Sequence, residues 1–197
     1  MSFCLGLTGS IGMGKSTTAQ MFVDQGCALW DADAAVHRLY EPGGAAVGPI
    51  GALFPEAVKD GMVRRDVLRQ IIGDKPDAFK QIESIVHPLV GQGRAQFLQQ
   101  AAADILVFDN PILFETGGDA AMDAVAVVSV SAELQEKRVL ERGTMTHDQF
   151  QQIRAKQMPD AEKCARADFV IVTESLDHAR QQVQDIVAQI RTRIANA

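Results

Sequence analysis

Short unbroken apolar runs alternate along this chain with longer stretches of helical periodicity. Phe3 to Leu7, Cys27 to Trp30, Ile105 to Phe108, Ala124 to Val130 and Phe169 to Val172 read as strands. Continuous apolar runs, rather than alternating ones, are what a parallel sheet covered on both faces requires. The strand–helix alternation therefore predicts a doubly wound α/β fold, a five-stranded parallel sheet flanked by helices. The final helical stretch, Leu176 to Ile194, carries Val183, Ile186, Val187 and Ile190 on one stripe. That spacing faces a core and needs no functional role.

Two intervals break the rhythm. Between the second and third strands lie about 75 residues, far more than a crossover needs. A loop at Glu41-Pro42-Gly43-Gly44 opens it, and helical pieces follow at Val47 to Phe54, Arg65 to Ile72, Asp77 to Val86 and Pro88 to Ala103. Turns at Lys59-Asp60-Gly61 and Asp74-Lys75-Pro76 separate them. The second interval, Arg138 to Arg166, is polar, helical in pattern and interrupted at Arg142-Gly143-Thr144 and Met158-Pro159. The expected division is a core of residues 1–40, 104–137 and 167–197, a helical insertion at 41–103 and a mobile segment at 138–166.

Composition narrows the class. A chain of 197 residues suits one domain with small insertions, and 47% apolar with 22% charged residues is ordinary for a globular protein. A net charge of −6 argues against a nucleic-acid surface. Cys4, Cys27 and Cys164 are odd in number and unclustered, with no disulfide framework or metal-ligand spacing. The first residues enter a strand directly, and no apolar run approaches the roughly 20 residues of a membrane span. The reading is a cytoplasmic protein with neither nucleic acid nor membrane as partner.

The chemistry begins at Gly9-Ser10-Ile11-Gly12-Met13-Gly14-Lys15-Ser16, which fits G-x-x-x-x-G-K-[ST]. Glycines let successive N–H groups point into one concavity, and the helix that follows adds the positive end of its dipole. A strand before and a helix after make this a phosphate-binding loop, and the fold a P-loop NTPase. Lys15 can reach the β- and γ-phosphates, and Ser16 can ligate Mg²⁺.

Asp31-Ala32-Asp33 closes the second strand, at the edge where open α/β sheets bind ligands. One of these acids can cap the next helix. The other, for which we favour Asp33, can orient and deprotonate an attacking hydroxyl or hold Mg²⁺ through water. Asp109 ends the third strand after four apolar residues, the pattern of a Walker B acid, with a helix cap or turn as the alternative. Ile112-Leu113-Phe114-Glu115 is either core packing or the wall of an acceptor pocket. Arginines cluster at Arg64, Arg65 and Arg69, and at Arg138, Arg142 and Arg154 with Lys156. Most are solvated helix surface, but near a phosphate site some can clamp a transferring phosphoryl group. His37 and His87 read as structural.

These residues resemble the dephospho-coenzyme A kinase family. The matching positions are Leu7-Thr8-Gly9, Ile11-Gly12, Gly14-Lys15-Ser16, Asp31-Ala32-Asp33 with His37, and Glu41-Pro42-Gly43. They continue through Arg64-Arg65 with Leu68, His87-Pro88, and Asp109, Pro111 and Leu113-Phe114-Glu115. Lys137-Arg138, Arg142, Gln157-Met158 and Ala167 to Ile171 complete the series, which runs in order over most of the chain. The resemblance implies transfer of the ATP γ-phosphoryl to the ribose 3′-hydroxyl of dephospho-coenzyme A, the final step of coenzyme A synthesis. It implies that the helical insertion binds coenzyme A and that the mobile segment is a lid. It makes Asp33 the base, with Lys15 and Arg142 as further catalytic groups. It assigns Gly12, Met13, Gly14, Lys15, Ser16, Thr17, Arg138 and Arg142 to ATP, and Ser16 and Asp109 to Mg²⁺. Thr8, Asp33, His37, Arg65, Pro111, Leu113 and Phe114 fall on the acceptor side. Two positions depart from the family pattern. Asn110 stands where an aliphatic residue usually precedes Pro111, and Thr173-Glu174-Ser175 replaces a glycine-containing turn near the adenine. The alternative is another small P-loop kinase acting on a nucleoside, nucleotide or sugar. A GTPase would need D-x-x-G and N-K-x-D signals, which the chain lacks.

Overall fold

A computed structural model describes residues 2–196. Five parallel strands form the main sheet: β1 (Phe3–Thr8), β2 (Ala28–Asp31), β5 (Ile105–Asp109), β6 (Ala124–Ser129) and β7 (Phe169–Val172), in the order β2-β5-β1-β6-β7. β1 is central. Leu5 pairs with Val107 of β5 on one side and Ala124 of β6 on the other. Because the chain connects to both sides of β1, its carboxyl end is the switch point where such sheets open a ligand crevice.

The strand residues divide between two faces with a period of two. Leu5, Leu7, Ala126, Val128 and Ile171 pack with Met21 and Phe22 of α1 (Lys15–Asp24) and with Val183, Ile186, Val187 and Ile190 of α9 (Leu176–Ala195). Val125 and Val127 of β6 turn the other way, against Leu113, Phe114, Met158 and Cys164. Acidic side chains fix the strand starts. Asp123 accepts the Cys4 N–H at 2.7 Å, and Asp168 accepts the Val125 N–H at 2.8 Å. At the far end of α9, Arg191 donates to Asp104 at 2.7 Å and to the Gln25 carbonyl at 3.0 Å. The hydrogen bond from Arg191 holds the Asp104 carboxyl below the usual aspartate range.

The chain forms two compact units, one running up to Trp30 and from Ala101 onward, the other Asp31–Gln100. The second unit begins ahead of the Glu41 boundary expected for the insertion. It contains α2 (Ala32–Tyr40), α3 (Val47–Leu53), the short strands β3 (Val58–Lys59) and β4 (Met62–Val63), α4 (Arg65–Asp74) and α5 (Ala78–Gln100). Its own core gathers Ala46, Ile50, Phe54, Leu68, Ile71, Ile82 and Val86.

The turn expected at Lys59-Asp60-Gly61 is present, as the tip of an antiparallel hairpin with Asp60 and Gly61 at φ 52° and 75°. Asp-Gly with both φ values positive is the two-residue turn whose twist matches paired strands. The break expected before Pro88 is absent, and one helix runs through it. A proline in a helix interior costs about 3 kcal/mol. The buried face of Ala78, Ile82 and Val86, just ahead of it, outweighs that cost.

The remaining helices belong to the first unit: α6 (Ala132–Glu141), α7 (His147–Lys156) and α8 (Asp160–Arg166). Thr146 and Gln149 form a capping box at the start of α7. No helix among the described residues is long and apolar enough to cross a membrane.

Ile190 is fully buried where α9 meets the sheet. Ile190→Ala should lower unfolding free energy by about 2–5 kcal/mol, read from the midpoint of urea denaturation at unchanged slope.

Candidate active site

The loop from Gly9 to Lys15 leaves β1 and turns into α1. Gly12 and Gly14 have φ values of 80° and 91°, a region L side chains rarely adopt, and Gly14 caps α1. Space forbids a side chain as well. A Cβ on Gly12 would lie 2.5 Å from Val139 Cγ2, and one on Gly9 would lie 2.7 Å from the Val128 carbonyl. The N-terminal amides of α1 then face the concavity, as anion binding needs.

Lys15 pairs with Asp109, the nearly buried last residue of β5. The loop's ammonium and the strand-end carboxylate are thus in contact. Ser16 follows Lys15 in the first turn of α1. A serine hydroxyl and a carboxylate are the hard oxygen donors Mg²⁺ takes, beside phosphate oxygens and water. The donor set therefore fits that ion.

Beside the loop lies a pocket of about 380 Å³. Gly14, Thr17 and Thr18 form its loop side, Met21, Leu176 and Ala179 its apolar walls, and Arg138, Glu141 and Arg142 its charged rim. Its size is that of small-molecule sites, and its contiguity with the phosphate loop suits a nucleoside. Thr173, at the altered turn, organises it. Its hydroxyl donates to the Met13 carbonyl at 2.7 Å and accepts from Arg138 at 3.1 Å. Arg138 also donates to the Thr173 carbonyl at 2.6 Å. Arg138 thus braces the turn, while Arg142 ends α6 at the exposed rim of the same pocket. Sequence reading missed Met21, Leu176 and Ala179. The available signal was Leu176, a large apolar residue opening a helix beside the turn and 62% exposed.

The segment after β5 is held from beneath. Thr8, expected at an acceptor, is fully buried, because β1 runs one residue further than the apolar run suggests and pairs Thr8 with Val127. Its hydroxyl donates to the Pro111 carbonyl at 3.3 Å. Lys163, which the sequence reading passed over, is completely buried, donating to the same carbonyl at 3.0 Å and to Glu115 at 2.9 Å. Burial alone would raise the Glu115 pKa. The Met158 N–H and the Lys163 ammonium outweigh it and hold the carboxyl below the usual range. Leu113 and Phe114 are buried core side chains, packed with Val125 and Val127. Asn110 accepts the Ile112 N–H at 3.0 Å, an Asx turn that an aliphatic residue could not make.

In the second unit, Asp31 caps α2, accepting the Ala34 N–H at 2.9 Å. The division of labour expected for the pair leaves Asp33 exposed in the first helical turn. His37 lies one turn on, 2.9 Å from Glu41. Arg64 pairs with Asp66 at 2.8 Å, while the Arg65 guanidinium stands 5.5 Å from the Tyr40 ring centroid.

A glycine-rich loop between the central strand and a helix, and a lysine on a strand-end carboxylate, define a P-loop NTPase. Solved shikimate kinases from Bacteroides thetaiotaomicron and Acinetobacter baumannii share this fold, at TM-scores of 0.52 and 0.54 and 13% and 19% identity. The family model for dephospho-CoA kinase matches residues 3–178, and the chain belongs to that family. It is 72% identical over 191 residues to the dephospho-CoA kinase of Ruegeria pomeroyi, covering 97% of each chain. It is 56% identical to that of Jannaschia sp., covering 96% of this chain and 98% of the other. Among solved structures, a protein of Thermus thermophilus aligns at a TM-score of 0.85 and 28% identity, over 95% of this chain and 97% of that one. The dephospho-CoA kinase of Campylobacter jejuni aligns at 0.69 and 25%, over 96% and 98%. The family uses ATP as phosphate donor.

Thr173→Val keeps the shape of the turn but removes one donor and one acceptor. Leaving the Met13 carbonyl and the Arg138 guanidinium without that hydroxyl should weaken binding of a non-hydrolysable ATP analogue about tenfold, measured by titration calorimetry.

Proposed function

We propose that this chain phosphorylates the ribose 3′-hydroxyl of dephospho-coenzyme A with ATP, the last step of coenzyme A synthesis, and does so in the cytoplasm. The observation that carries the reading is 72% identity over 97% of both chains to a protein of that name.

In this reading, the transfer is in line and the protein does little covalent work. ATP places its phosphates on the amides of Gly12 to Thr17 and its base in the pocket walled by Met21, Leu176 and Ala179. Lys15 exchanges its Asp109 partner for the β- and γ-phosphates. Mg²⁺, held by Ser16 and released Asp109, would neutralise phosphate charge. Asp33 accepts the proton of the ribose hydroxyl, and its exposure at the head of α2, directly after β2, suits that task. Arg65 and His37 belong to the acceptor side. Arg142 supplies charge to the transferring group from the end of α6. Closure of the segment 138–166 excludes water, which suppresses hydrolysis of ATP.

A coupled ADP-release assay tests the activity, comparing dephospho-coenzyme A with adenosine, AMP and shikimate. Turnover confined to the first is expected, and no rate above background with it overturns the reading. Asp33→Asn should lower kcat by about 10²–10⁴ with ATP affinity nearly unchanged. Turnover close to that of the parent enzyme would remove Asp33 from the role of base.

A further inference from the structure

The side chains Gln135 and Gln157 grip the phosphate loop at its apex from two directions. The Ile11 N–H donates to Gln157 Oε1 at 3.1 Å, and the Ile11 carbonyl accepts from Gln135 Nε2 at 2.8 Å. Both peptide groups flanking the Ile11 Cα are thereby committed to carboxamides. The Ile11 N–H is consequently turned away from the concavity, and the cradle begins at Gly12. Gln135 is buried in the middle of α6, and its helix abuts the loop so closely that Gly12 has no room for a methyl group. Gln157 stands elsewhere. It is the residue that ends α7, in extended conformation (φ −92°, ψ 150°), at the joint before α8.

We propose that Gln157 is a positioning residue for nucleotide binding, which fixes the loop apex through Ile11 and ties it to the joint between α7 and α8. Three contacts run in series from this joint. The Met158 N–H donates to Glu115 at 2.9 Å, Glu115 binds Lys163 of α8, and Lys163 holds the Pro111 carbonyl that Thr8 also holds. Gln157 extends that chain of contacts from the segment after β5 to the phosphate loop. Displacement of the joint therefore moves the Ile11 peptide and the loop amides that follow it from Gly12, and an anion seated on those following amides resists displacement of the joint.

The two carboxamides work with opposite polarity. Gln157 accepts, so a carboxylate can replace it. Gln135 donates, so a carboxylate there would meet the Ile11 carbonyl oxygen with a second acceptor in a buried place. A generic packing role has no such asymmetry.

The proposal rests on the ATP-dependent reading of the site but needs no acceptor, so its failure is separable from failure of the dephospho-coenzyme A assignment. Two quantities are measured on the full chain: amide hydrogen exchange at Ile11, and affinity for a non-hydrolysable ATP analogue. Gln157→Met, which keeps length without an acceptor, should speed Ile11 exchange at least tenfold and weaken the analogue about tenfold, with an unchanged melting temperature. Gln157→Glu should restore slow exchange at Ile11, whatever its added charge does to nucleotide affinity. Gln135→Glu should accelerate exchange where Gln157→Glu does not; if it fails to fold, the two variants at 157 decide alone. Unaltered Ile11 exchange or unaltered analogue affinity in Gln157→Met overturns the proposal. So does equally fast exchange in the Met and Glu variants at 157.

Discussion

A loop that binds phosphate with its backbone has no side chains left to hold itself in shape. Its amides must point inward, which forces positive φ at Gly12 and Gly14, and these glycines contribute nothing to packing. The conformation is held from outside. Thr173 grips the Met13 carbonyl, Gln135 and Gln157 grip Ile11, and α6 closes against Gly12. Every one of these supports comes from the C-terminal third of the chain, more than 100 residues from the loop in sequence. The closing helices of this unit are thus part of the phosphate site, even where they touch no ligand.

Burial gives these contacts their stiffness. A hydrogen bond in solvent contributes little net stability, but a buried polar group that loses its partner is costly. Lys163 is the extreme case. A fully enclosed ammonium tolerates few geometries, and its partners, Glu115 and the Pro111 carbonyl, fix the segment after β5. Burial opposes the charged form of Glu115, but the Met158 N–H and the Lys163 ammonium outweigh it and hold the carboxyl below the usual range. Its carboxylate is stabilised when charged, so that contribution is present above the unfolded glutamate pKa and is lost as acid protonates the group in the folded state.

Strand positions and the phosphate loop were legible because each rests on local pattern. Apolar runs placed all five sheet strands within a residue or so, and the motif placed Gly12 to Ser16. What stayed hidden depends on partners far along the chain. Nothing near Lys163 distinguishes it from a solvated helix lysine, and nothing near Thr8 reveals that Pro111 and Val127 enclose it. The Asp60-Gly61 turn is a different case: its own signal is local and legible, but the two-residue strands it joins are too short to show a period. Pro88 shows local preference yielding to tertiary burial.

The turn at Thr173 is joined to the phosphate loop through a side chain. The Thr173 hydroxyl links the Met13 carbonyl to the Arg138 guanidinium. Gly14 sits against it, its hypothetical Cβ only 3.3 Å from the Thr173 hydroxyl. The close approach rests on a glycine in the phosphate loop and a hydroxyl in the turn. Arg138 is drawn into the same brace, which leaves Arg142 as the exposed arginine at the pocket rim.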